Sequence, residues 1–128
     1  MTDEEIKDYF KITDEKTVII MCGPPGSGKT TLANRICELA PHYYIISPDD
    51  VREELTGDPQ DQSRNQEVFD KIYSRITLYL ELGYNVIYDA TNCRSNYRTK
   101  IVDVCANYAD KIIGLVSTVP IYKCIKQN

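Results

Sequence analysis

Two kinds of hydrophobic pattern alternate along the chain. Short apolar runs rich in β-branched and aromatic residues, such as residues 17–22, are typical of parallel strands buried on both faces. Between these runs, apolar residues recur every three or four positions, which is the spacing of one helix face. The pattern predicts strands at residues 17–22, 43–46, 84–89 and 111–118, and helices at residues 3–10, 30–39, 63–82 and 120–126, with others opening after Ser47 and after Arg94. Helices that alternate with such strands predict an α/β fold.

Residues 63–82 have the most regular helical periodicity. Their apolar positions are expected to form one buried stripe, and Gly83 is a natural end for the helix because glycine adopts the left-handed backbone conformation at little cost. The helix after Arg94 is expected to bury a similar stripe. The two stripes consist of Val68, Ile72, Ile76, Tyr79 and Leu80, and of Tyr97, Ile101, Val104, Cys105 and Tyr108.

A glycine-rich segment separates the first predicted strand from the helix that follows it. The segment reads Gly23, Pro24, Pro25, Gly26, Ser27, Gly28, Lys29 and Thr30. This spacing, G-x-x-x-x-G-K-[ST], is that of a phosphate-binding P-loop. Glycines let backbone N–H groups approach phosphates closely, and the N-terminus of the next helix faces the same anion. Lys29 is expected to reach the β- and γ-phosphates and the Thr30 hydroxyl to bind Mg²⁺. Together with Thr31, these residues form the predicted nucleotide-binding set.

Two acidic residues follow the second predicted strand. Ser47, Pro48 and Asp50 suit a helix start, as N-cap, first helical residue and partner in a capping box. Asp49 remains unexplained by that reading, and it lies at the sheet edge where open α/β folds collect ligands. It is either a base that orients and deprotonates an acceptor hydroxyl or an acid that stabilises the helix dipole.

A further acid, Asp89, ends the third predicted strand. Downstream of a P-loop, this is the Walker-B position, which binds Mg²⁺ through water. The next residue is Ala90, so the strand lacks the Asp-Glu pair with which many ATPases activate water. The sequence also has no Asn-Lys-x-Asp guanine signature. Both features argue against a motor ATPase and a GTPase and favour transfer to another acceptor.

Composition and charge narrow the class of protein. The chain has 128 residues, 42% of them hydrophobic and 27% charged, which is typical of one ordinary soluble domain. No apolar run approaches the length of a membrane span, and the acidic N-terminus does not resemble a signal peptide. Five cysteines without a C-x-x-C pair are expected to be reduced thiols of a cytoplasmic protein. His42 is expected at the surface.

The net charge of −4 argues against a broad electrostatic grip on nucleic acid, although it leaves room for a local basic groove. Arg94, Arg98 and Lys100 cluster where the last long helix begins, against the helix dipole. They are either a phosphate-binding group or part of a solvated surface.

Three motifs in order resemble a known family. They are the P-loop, then Ser-x-Asp-Asp-x-Arg at Ser47 to Arg52, then Asp-Ala-Thr-Asn at Asp89 to Asn92. They resemble the kinase domain of bacteriophage-type polynucleotide 5′-hydroxyl kinases and the related AAA-type predicted kinases. The resemblance covers about residues 16 to 128.

The resemblance implies a fold and a set of roles. The fold is a three-layer P-loop NTPase fold with parallel strands in the order 2-3-1-4, often with a fifth strand, and helices on both faces. Lys29 and Thr30 hold ATP and Mg²⁺, and Asp49 matches the general base for the 5′-hydroxyl. Arg52 matches an arginine that touches the phosphate of the acceptor, and Asp89 matches an acid that lines the acceptor site. The implied catalytic residues are Lys29, Asp49, Arg52 and Asp89, and the implied metal ligands are Thr30 and Asp89.

In members of this family, the chain continues past the matched region into a lid that carries an arginine. Gln127 occupies a position where these relatives often have arginine. Residues 1–128 are therefore interpreted as a single P-loop kinase-like domain whose lid is absent or truncated. The function that follows is an ATP-dependent phosphotransferase acting on the 5′-hydroxyl of DNA or RNA. A sugar, nucleoside or nucleotide-sugar kinase, or a nucleotide-binding module without efficient transfer, remains open as an alternative.

Overall fold

A computed structural model of the chain describes residues 2–9, 15–23, 28–40, 42–90, 95–116 and 119–125. For Tyr9 and for residues 95–98, 116 and 119–125, it describes the backbone alone. The helices are α1 Asp3–Tyr9, α2 Lys29–Leu39, α3 Pro48–Thr56, α4 Asn65–Glu81 and α5 Ser95–Cys105. The strands are β1 Thr17–Cys22, β2 Tyr43–Ile46, β3 Asn85–Ala90, β4 Lys111–Val116 and β5 Val119–Ile125.

The strands form one sheet in the order β2-β3-β1-β4-β5. The first four are parallel, so the predicted order 2-3-1-4 is confirmed. In the register, Cys22 at the end of β1 lies beside Ala90 of β3 and Val116 of β4. The carboxyl ends of the central strands therefore meet at one edge of the sheet, directly before α2 begins.

Helices cover both faces of the sheet, and the alternation of side chains along β1 explains the division. Val18, Ile20 and Cys22 face one hydrophobic cluster, whereas Ile19 and Met21 face the other. The first cluster includes residues of α3, α4 and α5, and the second includes residues of α1 and α2. Because β1 is buried on both sides, its sequence is a continuous apolar run rather than an alternating one.

The stripe predicted on α4 is confirmed. Val68, Ile72, Ile76 and Leu80 are fully buried, and Tyr79 packs against them while partly exposed. The helix ends just before Gly83, as predicted. Gly83 has φ +93°, its N–H donates to the Leu80 carbonyl at 3.1 Å, and the Tyr84 N–H donates to the Tyr79 carbonyl at 2.9 Å. These paired bonds are those of a Schellman motif.

The stripe on α5 is confirmed in part. Ile101 and Cys105 are buried, Val104 is half-buried, and the side chain of Tyr97 lies outside the described residues. Tyr108 is 38% exposed, so its predicted burial is wrong. The helix ends at Cys105, and Tyr108 lies in the turn that follows, beyond the reach of the helical periodicity.

The helix predicted at residues 120–126 is wrong, because residues 119–125 form β5, antiparallel to β4. The segment is rich in β-branched and aromatic residues, and a helix of so few residues would be marginal. Pro120 pairs with Leu115 beside a register irregularity. An edge strand tolerates proline because the missing N–H does not break an interior ladder.

The cysteines differ from the prediction at one position. Cys37 and Cys105 are free, and burial raises the pKa of both thiols, that of Cys105 to about 12. Cys22 is disulfide-bonded, so the predicted reduced thiol is wrong there. Cys93 and the side chain of Cys124 lie outside the described residues. His42 is exposed, as predicted.

In the part of the chain that the structure describes, no helix is both long and apolar enough to span a bilayer.

The fold makes a prediction about the α4 stripe. Ile76→Ala should lower the free energy of unfolding by about 2–5 kcal/mol, because Ile76 is fully buried and its truncation leaves a cavity against the sheet. Leu78→Ala, on the same helix but 52% exposed, should cost less than about 1 kcal/mol. Urea denaturation followed by circular dichroism measures both. Equal costs for the two variants would contradict the assigned helix face.

Candidate active site

The N-terminus of α2 is built to face an anion. Its N-cap, Gly28, has φ +89°, a conformation that favours glycine, and no described side chain caps the helix. The first intrahelical bond runs from the Leu32 N–H to the Gly28 carbonyl at 3.0 Å. The N–H groups before Leu32 therefore have no intrahelical partner, and the helix dipole places positive potential at the same end.

A buried ion pair lies at this helix end. The Lys29 ammonium donates to Asp89 Oδ1 at 2.5 Å, and both residues are more than nine-tenths buried. The Thr30 hydroxyl donates to the other oxygen, Asp89 Oδ2, at 3.2 Å. Burial of either charge alone would be costly, so the two stabilise each other where water is excluded. The structure thus brings the predicted lysine, threonine and strand acid together.

The position of Asp89 follows from the alternation along β3. Ile87 belongs to the cluster beneath α1 and α2, whereas Tyr88 and Ala90 belong to the opposite cluster. Since side chains two apart in a strand share a face, Asp89 is on the α2 side with Ile87. It pairs in register with Met21, two residues before Gly23.

Asp49 lies at the same edge, in the first turn of α3. β2 ends at Ile46 beside Tyr88, the residue before Asp89 in β3, so Asp49 follows one strand and Asp89 lies near the end of the adjacent strand. The Asp49 side chain is 40% exposed, and its Oδ1 accepts from Arg52 Nη1 at 3.1 Å. A partly exposed carboxylate held in one orientation is suited to accept a proton from a bound hydroxyl.

Arg52 is buried, with 5% of the residue exposed. Besides Asp49, its guanidinium donates to the Pro59 carbonyl at 3.3 Å and to Asn65 Oδ1 from both Nε and Nη2, at 3.3 and 3.2 Å. Its bonds in this structure therefore go to the protein. The contact of Arg52 with an acceptor phosphate, implied by the family resemblance, stays a prediction.

The start of α3 agrees only partly with the sequence. Ser47 is the N-cap and Pro48 opens the helix, as predicted, and the Val51 N–H donates to the Ser47 carbonyl at 3.1 Å. The Ser47 side chain, however, makes no capping bond. The capping-box role predicted for Ser47 and Asp50 is therefore wrong. Asp49 and Asp50 both lie in the first turn of α3, where negative charge interacts favourably with the helix dipole.

Two polar residues of the site carried no motif in the sequence. Asn65 is the first residue of α4, and its Nδ2 donates to Gln62 Oε1 at 2.6 Å while its Oδ1 accepts from Arg52. Both residues lie where a loop and a helix start normally carry polar side chains, so their types alone indicated nothing. The available signal was their position within two residues of the helix start predicted at residue 63.

The other predicted site residues lie partly outside the described part of the chain. Gly23 is half-buried after β1 and Thr31 is exposed in α2, whereas residues Pro24, Pro25, Gly26 and Ser27 lie outside the described residues. So do Arg94, Gln127 and the side chain of Arg98. Lys100 is exposed, and its ammonium lies 5.7 Å from the ring centroid of Tyr73.

The donor set fits a magnesium ion together with a triphosphate. Mg²⁺ prefers oxygen ligands and is typically bound by one or two protein oxygens together with substrate phosphates. The Thr30 hydroxyl and the Asp89 carboxylate already lie within hydrogen-bond distance of each other at the helix end.

Comparison with known proteins gives a family match and several structural matches. The sequence model of a family described as an AAA domain matches residues 18–128. No curated protein matches the chain significantly.

Two solved structures of the Pnkp1/Rnl/Hen1 complex, one of them described as an RNA repair complex, are similar to the chain. Both have a TM-score of 0.73, with 26% and 24% sequence identity, and cover 86% of this chain. The chain spans only 38% and 35% of the length of those proteins. The APS kinase CysC of Mycobacterium tuberculosis is similar with a TM-score of 0.62 and 20% identity over 80% of this chain and 76% of that chain. These similarities show a P-loop kinase-like fold.

The buried pair makes a prediction about stability. Lys29→Met should lower the free energy of unfolding by about 3 kcal/mol, because it leaves the Asp89 carboxylate buried without its cation. Adding Asp89→Asn removes that charge. The double variant should therefore lose less unfolding free energy than Lys29→Met and Asp89→Asn lose in total when each is made alone. Urea unfolding of the four proteins measures the coupling. Additive losses would show that the two charges do not interact.

Proposed function

The chain belongs to this AAA domain family, and from that premise we propose that it is a phosphotransferase that moves the γ-phosphate of Mg·ATP to an acceptor hydroxyl. The observation that carries the proposal is the buried Lys29–Asp89 pair at the N-terminus of α2. Here a cation, an acid and uncapped N–H groups lie together at the end of a P-loop sequence.

In this proposal, ATP binds with its phosphates against the start of α2. Lys29 exchanges its contact with Asp89 for the β- and γ-phosphate oxygens, and the N–H groups at the helix start bind the same phosphates. The residues that would hold Mg²⁺ are Thr30 and Asp89, and the bound ion would neutralise charge on the phosphates. A metal ion held by Asp89 would take the place of the Lys29 ammonium as the cation that compensates its buried carboxylate.

Asp49 is the proposed general base. The acceptor oxygen forms a bond to the γ-phosphorus, the bond from that phosphorus to the oxygen bridging it to the β-phosphate breaks, and ADP leaves. The acceptor proton passes to the Asp49 carboxylate. Because Asp49 follows β2 and Asp89 lies near the end of the adjacent β3, the base is on the same sheet edge as the phosphates, and the reaction needs mainly positioning and charge stabilisation.

We propose a 5′-hydroxyl end of DNA or RNA as the acceptor. The support is the run of motifs at Ser47 to Arg52 and at Asp89 to Asn92, and the 26% identity with a chain of the Pnkp1/Rnl/Hen1 complex. The net charge of −4 favours the second candidate, a small hydroxyl compound such as a sugar or nucleoside, because such an acceptor needs no extended basic surface.

The proposal predicts the effect of removing the base. Asp49→Asn should lower phosphoryl transfer by about 100-fold or more, since a positioned general base contributes that much, while leaving ATP affinity nearly unchanged. The assay follows label from γ-labelled ATP onto a 5′-hydroxyl oligonucleotide, with nucleosides and sugars as parallel acceptors. Calorimetry measures ATP binding separately.

Asp50→Asn is the matched control. Asp50 is the neighbouring acid in the same helical turn, but it is exposed, so its loss should change transfer less than about twofold. Label on nucleosides or sugars alone would establish the small-acceptor alternative. ATP binding without transfer to any acceptor would contradict the kinase and identify a nucleotide-binding module.

A further inference from the structure

We propose that Asn65 is a positioning residue for phosphoryl transfer, acting through Arg52 on the base Asp49. The inference rests on the proposed function of Asp49. The Asn65 amide oxygen accepts hydrogen bonds from both Nε and Nη2 of Arg52, at 3.3 and 3.2 Å. Nε and Nη2 lie along one edge of the planar guanidinium, so one acceptor that binds both fixes the orientation of the whole group.

The rotation of the guanidinium decides where its remaining donors point. With Nε and Nη2 held by Asn65, Nη1 is directed at Asp49 Oδ1 at 3.1 Å and at the Pro59 carbonyl at 3.3 Å. Asp49 is partly exposed, and its described partner is this one nitrogen. Its orientation toward a bound hydroxyl therefore depends on a guanidinium that Asn65 keeps in place.

Asn65 is itself held in one orientation. Its Nδ2 donates to Gln62 Oε1 at 2.6 Å, and Asn65 is the first residue of α4, so the helix holds its backbone. Arginine only donates, so the side-chain oxygen must face Arg52 and the nitrogen must face Gln62. The path to the base thus begins at Gln62, before α4, and runs through Asn65 and Arg52 to Asp49, with each donor matched to an acceptor.

The same helix start offers a matched control. Arg64 donates from Nη1 to the Leu55 carbonyl at 2.7 Å and forms an ion pair with Glu67, so it also ties the start of α4 to α3. Its described contacts do not include Arg52 or Asp49. Arg64→Ala therefore removes a comparable link between the two helices without reaching the base.

The experiment compares Asn65→Ala and Arg64→Ala, each alone and combined with Asp49→Asn, in single-turnover transfer to whichever acceptor the wild type phosphorylates. Asn65→Ala should lower the transfer rate about 10- to 100-fold, as loss of a supporting hydrogen bond at a catalytic group typically does. The KM for ATP should stay within about twofold. Arg64→Ala should change the rate less than about twofold.

The combined variants test the path. If Asn65 acts through Asp49, Asn65→Ala should slow the Asp49→Asn protein less than about twofold. An equal loss in both backgrounds, or equal losses in Asn65→Ala and Arg64→Ala, would overturn the inference and leave Asn65 as a structural link only.

A second measurement separates this inference from the proposed function. A wild type that phosphorylates no acceptor contradicts the function alone. The Arg52 Nε–H resonance, assigned by nitrogen-15 NMR, then tests the positioning directly. In Asn65→Ala its chemical shift should change and its proton should exchange faster with water. In Arg64→Ala the chemical shift should stay at its wild-type value. An unchanged resonance in Asn65→Ala would overturn the inference.

Discussion

The ion pair between Lys29 and Asp89 is the interaction on which the site depends. Each charge taken from water costs several kcal/mol, and each is compensated by the other, with the Thr30 hydroxyl as an additional partner. The sheet makes this possible by ending β3 beside β1, immediately before the P-loop and α2. The pair therefore keeps a buried cation, Lys29, at the N-terminus of α2 and a buried acid, Asp89, near the end of β3. In the proposed function, a triphosphate and its metal ion use both.

The proposed acceptor side is organised differently, through one arginine. Arg52 is buried and joins three separate parts of the chain: Asp49 in its own helix, the Pro59 carbonyl in the following loop, and Asn65 at the start of α4. Such a group links the position of a partly exposed carboxylate to the packing of a loop. In our account, nucleotide binding and acceptor activation are thus supported by different elements that share one sheet edge.

Much of this arrangement was accessible from sequence because its signals are local and periodic. The parallel strands are continuous apolar runs, and the buried face of α4 has an apolar residue at every third or fourth position. The P-loop has a fixed spacing. The failures have the opposite character. β5 depends on pairing with β4 rather than on its own periodicity, and Tyr108 lies past the end of α5. The proposed role of Asn65 depends on its contact with Arg52, which lies 13 residues earlier on the other side of a loop. The spacing of residues along a helix or strand does not predict such a contact.

The most direct test of the account is a crystal structure of the chain with Mg²⁺ and a non-hydrolysable ATP analogue. The account predicts that the Lys29 ammonium leaves Asp89 for the β- and γ-phosphate oxygens and that Thr30 and Asp89 are the residues that hold the metal ion. A nucleotide bound elsewhere, with the Lys29–Asp89 contact intact at its present 2.5 Å, would contradict the central claim.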